Sequence, residues 1–190
     1  MNKEEINKNT KLSEHLASPS EATLSHSSEL NGIRLSPHFT LGELTVTSVK
    51  TADGNIPSHV AIENLKRVCK WLEELRYNYN RRYVLTYYED YDESKNVEPI
   101  IINSGFRSPE VNKRVGGSPT SNHLTGCAVD LHVYGIEQAM RYACVLMDIA
   151  DESNWDFDEI MIERSPKGTY WVHFAVRPKE NRRKVMFIQT

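Results

Sequence analysis

The chain has 190 residues and a formal net charge of -3, with 23 lysines and arginines against 26 acidic residues. These basic residues are interspersed with acids and form no dominant stripe, so we expect no nucleic-acid partner. No apolar run is long enough to span a bilayer, so we expect no membrane insertion. At about 150 residues per domain, the length favours one domain with a sizeable core, with or without an appendage.

Cysteine usage and the N-terminal composition predict where the protein is made. Cys69, Cys127 and Cys144 are too widely spaced for a CxxC metal site, and their odd number argues against a disulfide framework. We predict reduced, mostly buried thiols, consistent with folding in the cytoplasm. The first thirty residues contain no apolar segment of the signal-peptide type, so we expect synthesis without a signal peptide.

The chain begins with a segment that is poor in large apolar side chains. Residues 1–31 are rich in Ser, Glu, Asn and Lys, a composition that does not repay the entropy of ordering. We predict a flexible tail with at most a short helix around Glu4 to Leu16. The domain proper is predicted to span residues 32–190.

The first long helix is predicted within "SHVAIENLKRVCKWLEELRYNY". Ser58 is its expected N-cap. The helical spacing rests on these apolar residues: Val60, Leu65, Val68, Cys69, Leu72 and Leu75. An aromatic and acidic insertion follows at about residues 77–98, in which "RYVLTYY" is predicted as one strand of a hairpin that turns within "EDYDESKN".

The remaining elements predict an α+β fold. "PIIINSGF" reads as a short buried strand, and "SPEVNKRVG" as a short helix that ends at Gly116-Gly117. The "CAVDLHVYG" segment alternates like a strand, and "IEQAMRYACVLMDIADES" is a second long helix. Its predicted apolar stripe is Ala139, Met140, Ala143, Met147 and Ala150. Strands "FDEIMIE", "YWVHFAV" and "KVMFIQT" complete an antiparallel sheet flanked by helices. The "NRRK" run at 181–184 is expected to be a solvated face.

Asp130 is the first candidate for site chemistry. If the strand is extended, Asp130 shares a face with Ala128 and His132, while Cys127 faces the other way. A carboxylate on a buried face is costly unless it is paired or bound to a cation. Packing is therefore the preferred role for Cys127. His132 could support the site or replace a ligand, but a partly exposed strand residue is the favoured interpretation.

Two histidines complement this carboxylate. His173 shares a strand face with Trp171 and Ala175, and His123 precedes the Asp130 strand in a loop that Gly126 could turn back. Two imidazole nitrogens and one carboxylate oxygen suit zinc, and three protein ligands leave a fourth position for water. A single histidine is more often structural, and the spacing alone leaves both interpretations open.

Several motifs in the same order resemble the zinc D-Ala-D-Ala carboxypeptidase family. They are "SGFRSPEVNKRVGGSPTSNHLTGCAVD", "FDEIMIE" and "WVHF", and "HFTLGELTVT" and "ENLKRVCKWLEELR" resemble the family's opening. The likeness is to the subgroup common in phage and bacterial murein peptidases, and it covers about Leu35 to Lys184. It implies a Hedgehog/D,D-peptidase-like fold.

The resemblance also implies residue roles. Its zinc ligands are His123, Asp130 and His173. Arg107 would engage a carboxylate or carbonyl of the peptide substrate, since a guanidinium fork matches a carboxylate; a structural salt bridge is the alternative. Ser121 would support the ligand loop by hydrogen bonding, and Trp171 would support the site or contact the substrate.

The general base is where the sequence departs from the family. Many relatives carry an acid three residues before the last histidine, but that position is Tyr170 here. In Hedgehog domains, which are distantly similar, the acid ends the preceding strand. Glu163 ends "FDEIMIE" and is the predicted base. Glu159 and Asp158 are weaker candidates, and Glu159 is expected to be a surface carboxylate.

These observations together predict a zinc peptidase that cuts the peptide part of peptidoglycan, as a D,D-carboxypeptidase or as an endopeptidase of the endolysin type. The expected partner is a peptidoglycan stem peptide, and the expected state is a monomer. We expect a phage or prophage product that reaches the cell wall after holin-type release. One alternative is a non-catalytic, metal-stabilised wall-binding module. The other is a virion structural protein whose insertion is adhesive.

Overall fold

The computed structural model describes residues 30–85 and 97–190. The predicted tail helix and the turn of the predicted hairpin lie outside these residues. Leu30, at the end of the predicted tail, packs against the core. Within the described ranges, no helix is long and apolar enough to cross a membrane.

A five-stranded sheet forms the centre of the fold, in the order β1-β2-β4-β3-β5. The strands are β1 (Ile102–Ser104), β2 (Ala128–His132), β3 (Glu159–Arg164), β4 (Tyr170–Ala175) and β5 (Lys184–Gln189). All neighbours pair antiparallel except β3 and β5, which are parallel. The α+β prediction with a mainly antiparallel sheet is confirmed.

Helices α1 (His59–Tyr79) and α3 (Ile136–Ser153) pack against each other and against one face of the sheet. A short helix, α2 (Pro109–Arg114), lies between β1 and β2 in the chain. Ser58 caps α1 as predicted, because its side chain accepts a hydrogen bond from the Ala61 amide at 3.2 Å. The sheet residues that enter the core on this face are all buried: Val129, Leu131, Ile160, Ile162, Val172 and Phe174.

Two helix positions differ from the predicted apolar stripes. Val60 is 69% exposed because, in the first turn of α1, the next residue, Ala61, points into the core and Val60 points away from it. Met140 is 47% exposed because α3 buries Tyr142 and Leu146 instead. The buried face of each helix therefore excludes these two positions, while the predicted alanines of α3, Ala139, Ala143 and Ala150, are buried.

The strand predicted for "RYVLTYY" is wrong over residues 82–85, and its remaining residues lie outside the described part. Residues Asn80–Val84 instead form a π-helical turn that continues α1. Buried Asn80 explains the difference, since its amide donates to the Arg76 and Glu98 carbonyls and accepts from the Glu98 amide. Arg82 pairs with Asp148 of α3, which holds the extended helix against the core.

The sheet face away from α1 and α3 carries the polar residues that the sequence grouped together. Across three strands, Asp130 of β2 lies opposite His173 of β4, which lies opposite Met161 of β3. In the next row His132, Trp171 and Glu163 are aligned in the same way. The alternation predicted for the strands of Asp130 and His173 is thus confirmed.

Candidate metal centre

His123 is presented by a tight turn that precedes β2. It lies in a 3-10 turn, Asn122–Thr125, whose N-cap Ser121 accepts a hydrogen bond from the His123 amide at 3.3 Å. The turn ends at Gly126 with φ of 72°, and a Cβ there would lie 2.5 Å from the Ala61 carbonyl oxygen. A larger residue would therefore displace the loop, which explains the need for glycine at this position.

Three ligand-type atoms converge on the sheet face. His123 Nε2 lies 3.2 Å from Asp130 Oδ1 and 3.2 Å from His173 Nδ1, and the last two atoms are 3.0 Å apart. All three residues are buried. In a tetrahedral zinc site with bonds of about 2.0–2.1 Å, neighbouring ligand atoms are separated by roughly 3.3 Å. The observed triangle is therefore close to the size that such an ion requires.

A backbone carbonyl determines which nitrogen of His123 faces the triangle. His123 Nδ1 lies 2.6 Å from the Gly105 carbonyl oxygen, which can only accept a hydrogen bond. Nδ1 must then carry the proton, and Nε2 presents its lone pair to the other two residues. The backbone of Gly105 packs so closely against Leu44 that a Cβ at this position would lie 2.2 Å from the Leu44 carbonyl oxygen.

His173 faces a second carboxylate on its other side. While Nδ1 points to Asp130, Nε2 lies 3.7 Å from Glu159 Oε2. Glu159 is mostly buried and is also held by Arg182 at 2.6 Å and by Asn122 at 3.1 Å. The prediction of a surface carboxylate at Glu159 is therefore wrong, because these donors draw it into the protein.

Arg107 contacts the site through Asp130. Its Nη2 donates to Asp130 Oδ2, and its Nε donates to Ser104 Oγ at 2.8 Å. Asp130 thus divides its oxygens between the guanidinium and the histidine pair. The structural salt bridge, which was the alternative for Arg107, is present here, and its geometry leaves a substrate role for the remaining donors.

Glu163 lies on the site face, one row beyond the triangle. Its cross-strand partner is Trp171 of β4. Burial, and then the negative charge of Asp130, raise the pKa of Glu163 above its ordinary value. Tyr170, by contrast, is an odd number of residues from His173 and so faces the opposite side of β4.

The remaining candidate site residues lie outside the triangle. His132 is partly exposed, as expected for a strand residue outside the ligand set, and the centroid of its ring lies 4.9 Å from that of Tyr134. Cys127 is buried, and burial raises the pKa of its thiol, which disfavours a thiolate ligand. Asp158 is fully buried in an ionic cluster with Arg182.

The electrostatics of the triangle favour a cation. Burial lowers the pKa of His123. Burial also opposes charge on His173, but its hydrogen bond to Asp130 and the nearby carboxylate of Glu159 outweigh this effect and raise its pKa to about 9. Burial alone would raise the pKa of Asp130, yet its contacts with the two histidines hold it well below the usual range. A buried carboxylate thus stays ionised, and a proton on His173 balances its charge.

A family model described as Peptidase M15 matches residues 86–146. The match supports a metallopeptidase. It includes Arg107, His123 and Asp130, whereas His173 and Glu163 lie beyond it. The fold brings these two residues to the matched segment through the pairing of β2, β4 and β3. No curated protein matches the chain.

Sequence reasoning missed several residues that support the centre. Asn122 and the Gly105 carbonyl contact the site, but neither residue type has a pattern that marks such contacts. Arg182 lies in the "NRRK" run and is exposed, as predicted for a solvated face, but its guanidinium also pairs with Asp158 and Glu159, which the sequence did not indicate.

Proposed function

We propose that the protein is a zinc-dependent peptidase that hydrolyses an amide bond in the peptide part of bacterial peptidoglycan. The observation that carries this proposal is the triangle of His123 Nε2, Asp130 Oδ1 and His173 Nδ1, with edges of 3.0–3.2 Å. Three such ligands leave a fourth tetrahedral position for water, which is the form of a catalytic zinc site. The match to the peptidase family supports the same reaction class.

The residues of the site divide the chemistry between them. Bound zinc would lower the pKa of its water towards about 7 and polarise the scissile carbonyl. Glu163 takes a proton from the attacking water and returns it to the leaving amine. Its raised pKa suits this task, because a base with a pKa nearer neutrality can also act as the acid in the second step.

Glu159 is the weaker candidate for the base because it faces the far side of the His173 ring. Its carboxylate lies near Nε2, whereas Nδ1 belongs to the triangle. Arg182 and Asn122 also occupy both of its oxygens. Asp158 is fully buried and is paired with Arg182, so it is not available for proton transfer with a substrate.

Arg107 is the proposed anchor for the substrate. Among the described residues, its hydrogen bonds use Nε and Nη2, so we expect Nη1 to face a carboxylate or carbonyl of the peptide. Stem peptides of peptidoglycan offer D-Ala termini and D-Glu side-chain carboxylates for this contact. Trp171, which lies beside Glu163, is proposed to support the base or to contact the substrate.

We further propose that the protein is a D,D-carboxypeptidase or an endopeptidase of the endolysin type. The proposal also includes action on the cell wall after holin-type release, as a phage or prophage product. The resemblance of the motifs to murein peptidases supports both parts.

Mass spectrometry of muropeptides after digestion tests this function. We expect peptide products that disappear when a chelator removes the metal and return when zinc is added. The mass of the products identifies the bond that is cut. A protein that binds zinc and cell wall but releases no peptide would instead be a metal-stabilised binding module.

A further inference from the structure

The C-terminal "NRRK" run reaches the back of the metal centre through one arginine. Arg182 donates from Nε to Asp158 Oδ1 at 2.7 Å and from Nη2 to Asp158 Oδ2 at 2.5 Å. The same Nη2 lies 2.6 Å from Glu159 Oε1. A carboxylate as buried as Asp158 requires such a partner.

The loop that carries His123 joins the same cluster. Asn122 donates from Nδ2 to Asp158 Oδ2 at 2.8 Å and to Glu159 Oε2 at 3.1 Å. Glu159 is therefore held by donors from two separate segments, one before β2 and one before β5. This arrangement leaves its carboxylate little freedom to turn.

The cluster ends at a ligand of the proposed metal. His173 must offer the lone pair of Nδ1 to the triangle, so its Nε2 carries the proton, and Glu159 Oε2 lies 3.7 Å from that nitrogen. A carboxylate opposite the second nitrogen of a ligand histidine sets its tautomer and orientation and increases its basicity.

We propose that Arg182 is a positioning residue of the metal centre. It holds Glu159 against the Nε2 side of His173, and thereby directs Nδ1 at the ion. This inference rests on the proposed zinc site and extends it to a part of the chain that contacts no metal. Without Arg182, Glu159 would keep the Asn122 contact on Oε2, but Oε1 would be left with Lys184, whose Nζ lies 3.8 Å away.

The neighbouring arginine provides a matched control. Arg183 lies in the same run with nearly the same side-chain exposure, 45% against 42%, but it pairs with Asp151 and Asp156. The measurements are zinc affinity by chelator competition, the absorption spectrum of the Co²⁺-substituted protein, and the free energy of unfolding of the metal-free protein. They compare Arg182→Ala and Arg183→Ala with the unaltered chain.

We expect Arg182→Ala to bind zinc about 10- to 100-fold more weakly and to change the Co²⁺ spectrum, as loss of an outer partner of a ligand does. Arg182→Lys should recover part of the affinity, because it keeps the charge but not the fork. Arg183→Ala should keep both the affinity and the spectrum of the unaltered chain.

A second variant covers the case in which Arg182→Ala does not fold. Glu159→Gln leaves the Asp158–Arg182 pair in place and removes only the charge that faces His173. It should show the same loss of affinity when the proteins are compared above pH 9, where a proton on His173 no longer competes with zinc. Unchanged affinity and spectrum in the folded variants would overturn the inference while leaving the proposed function intact, even if stability falls. If the unaltered protein takes up no zinc, both proposals fail.

Discussion

Zinc must displace a proton from His173, and this requirement makes its affinity strongly dependent on pH. In the metal-free protein the pKa of His173 is raised to about 9 because its hydrogen bond to Asp130 and the nearby carboxylate of Glu159 outweigh the effect of burial. Only the neutral imidazole can bind a metal. At pH 7, two units below this pKa, about one molecule in 100 is ready to bind.

The expected change in zinc affinity with pH follows directly from that fraction. The contribution of His173 to apparent zinc affinity should rise about tenfold per pH unit from pH 7 and level off above pH 9, with a total change of about 100-fold or ~2.7 kcal/mol, beside any contribution from ionisation of the zinc-bound water. Chelator competition between pH 6.5 and 10, corrected for protonation of the chelator, measures it. Calorimetry at pH 7 in buffers of different ionisation enthalpy should show release of at least one proton per zinc, because ionisation of the zinc-bound water adds to the proton that leaves His173.

Glu159→Gln provides the control, because removing this carboxylate lowers the pKa of His173 and should move the plateau to lower pH. An affinity that is already constant at pH 7 in the unaltered protein, with no proton released, would refute the reasoning. It would mean that Asp130 and Glu159 do not hold a proton on His173.

Three further predictions test the general base, the pH dependence of stability and the packing of the core. Glu163→Gln should lower kcat by about 100- to 10,000-fold with zinc content unchanged, measured by muropeptide release and metal analysis, and an unaffected rate would exclude Glu163 as the base. In the folded metal-free protein the pKa of His173 lies above its ordinary 6.5, so its contribution to stability is fully present below pH 6.5 and is lost as pH rises through about 9. Urea unfolding at several pH values measures this loss. The zinc-bound protein should keep its stability over the same pH range. Phe174→Ala removes a fully buried ring from the core face of β4 and should cost about 3–5 kcal/mol of unfolding free energy, whereas a loss under 1 kcal/mol would contradict its packing role.

The long helices and the alternating strands could be predicted from the sequence because their signals are local. α3 spans Ile136–Ser153, the segment predicted for it, and Ser58 caps α1. The period of two in the strands also assigned Asp130 and His173 to the polar faces of their strands before their pairing was known. Only the resemblance to a family joined these residues into one site.

The turn at Asn80–Val84 could not be predicted in this way. Its local residues have strand character, but contacts between Asn80 and Glu98, 18 residues apart, determine its conformation. Buried amides must find partners, and here the partner is Glu98, at the far end of the insertion. Tertiary contacts outweigh local propensity in this segment.

By itself, the sequence determined which residue types are present for metal chemistry and which strand faces they occupy. The tertiary structure alone decided that Asp130 lies opposite His173, 43 residues away, and that Arg182 supports Glu159 behind the ring. The physical reason is that side-chain direction depends on neighbouring residues in the chain. The distance between two side chains instead depends on strand register, which the burial of the whole core sets.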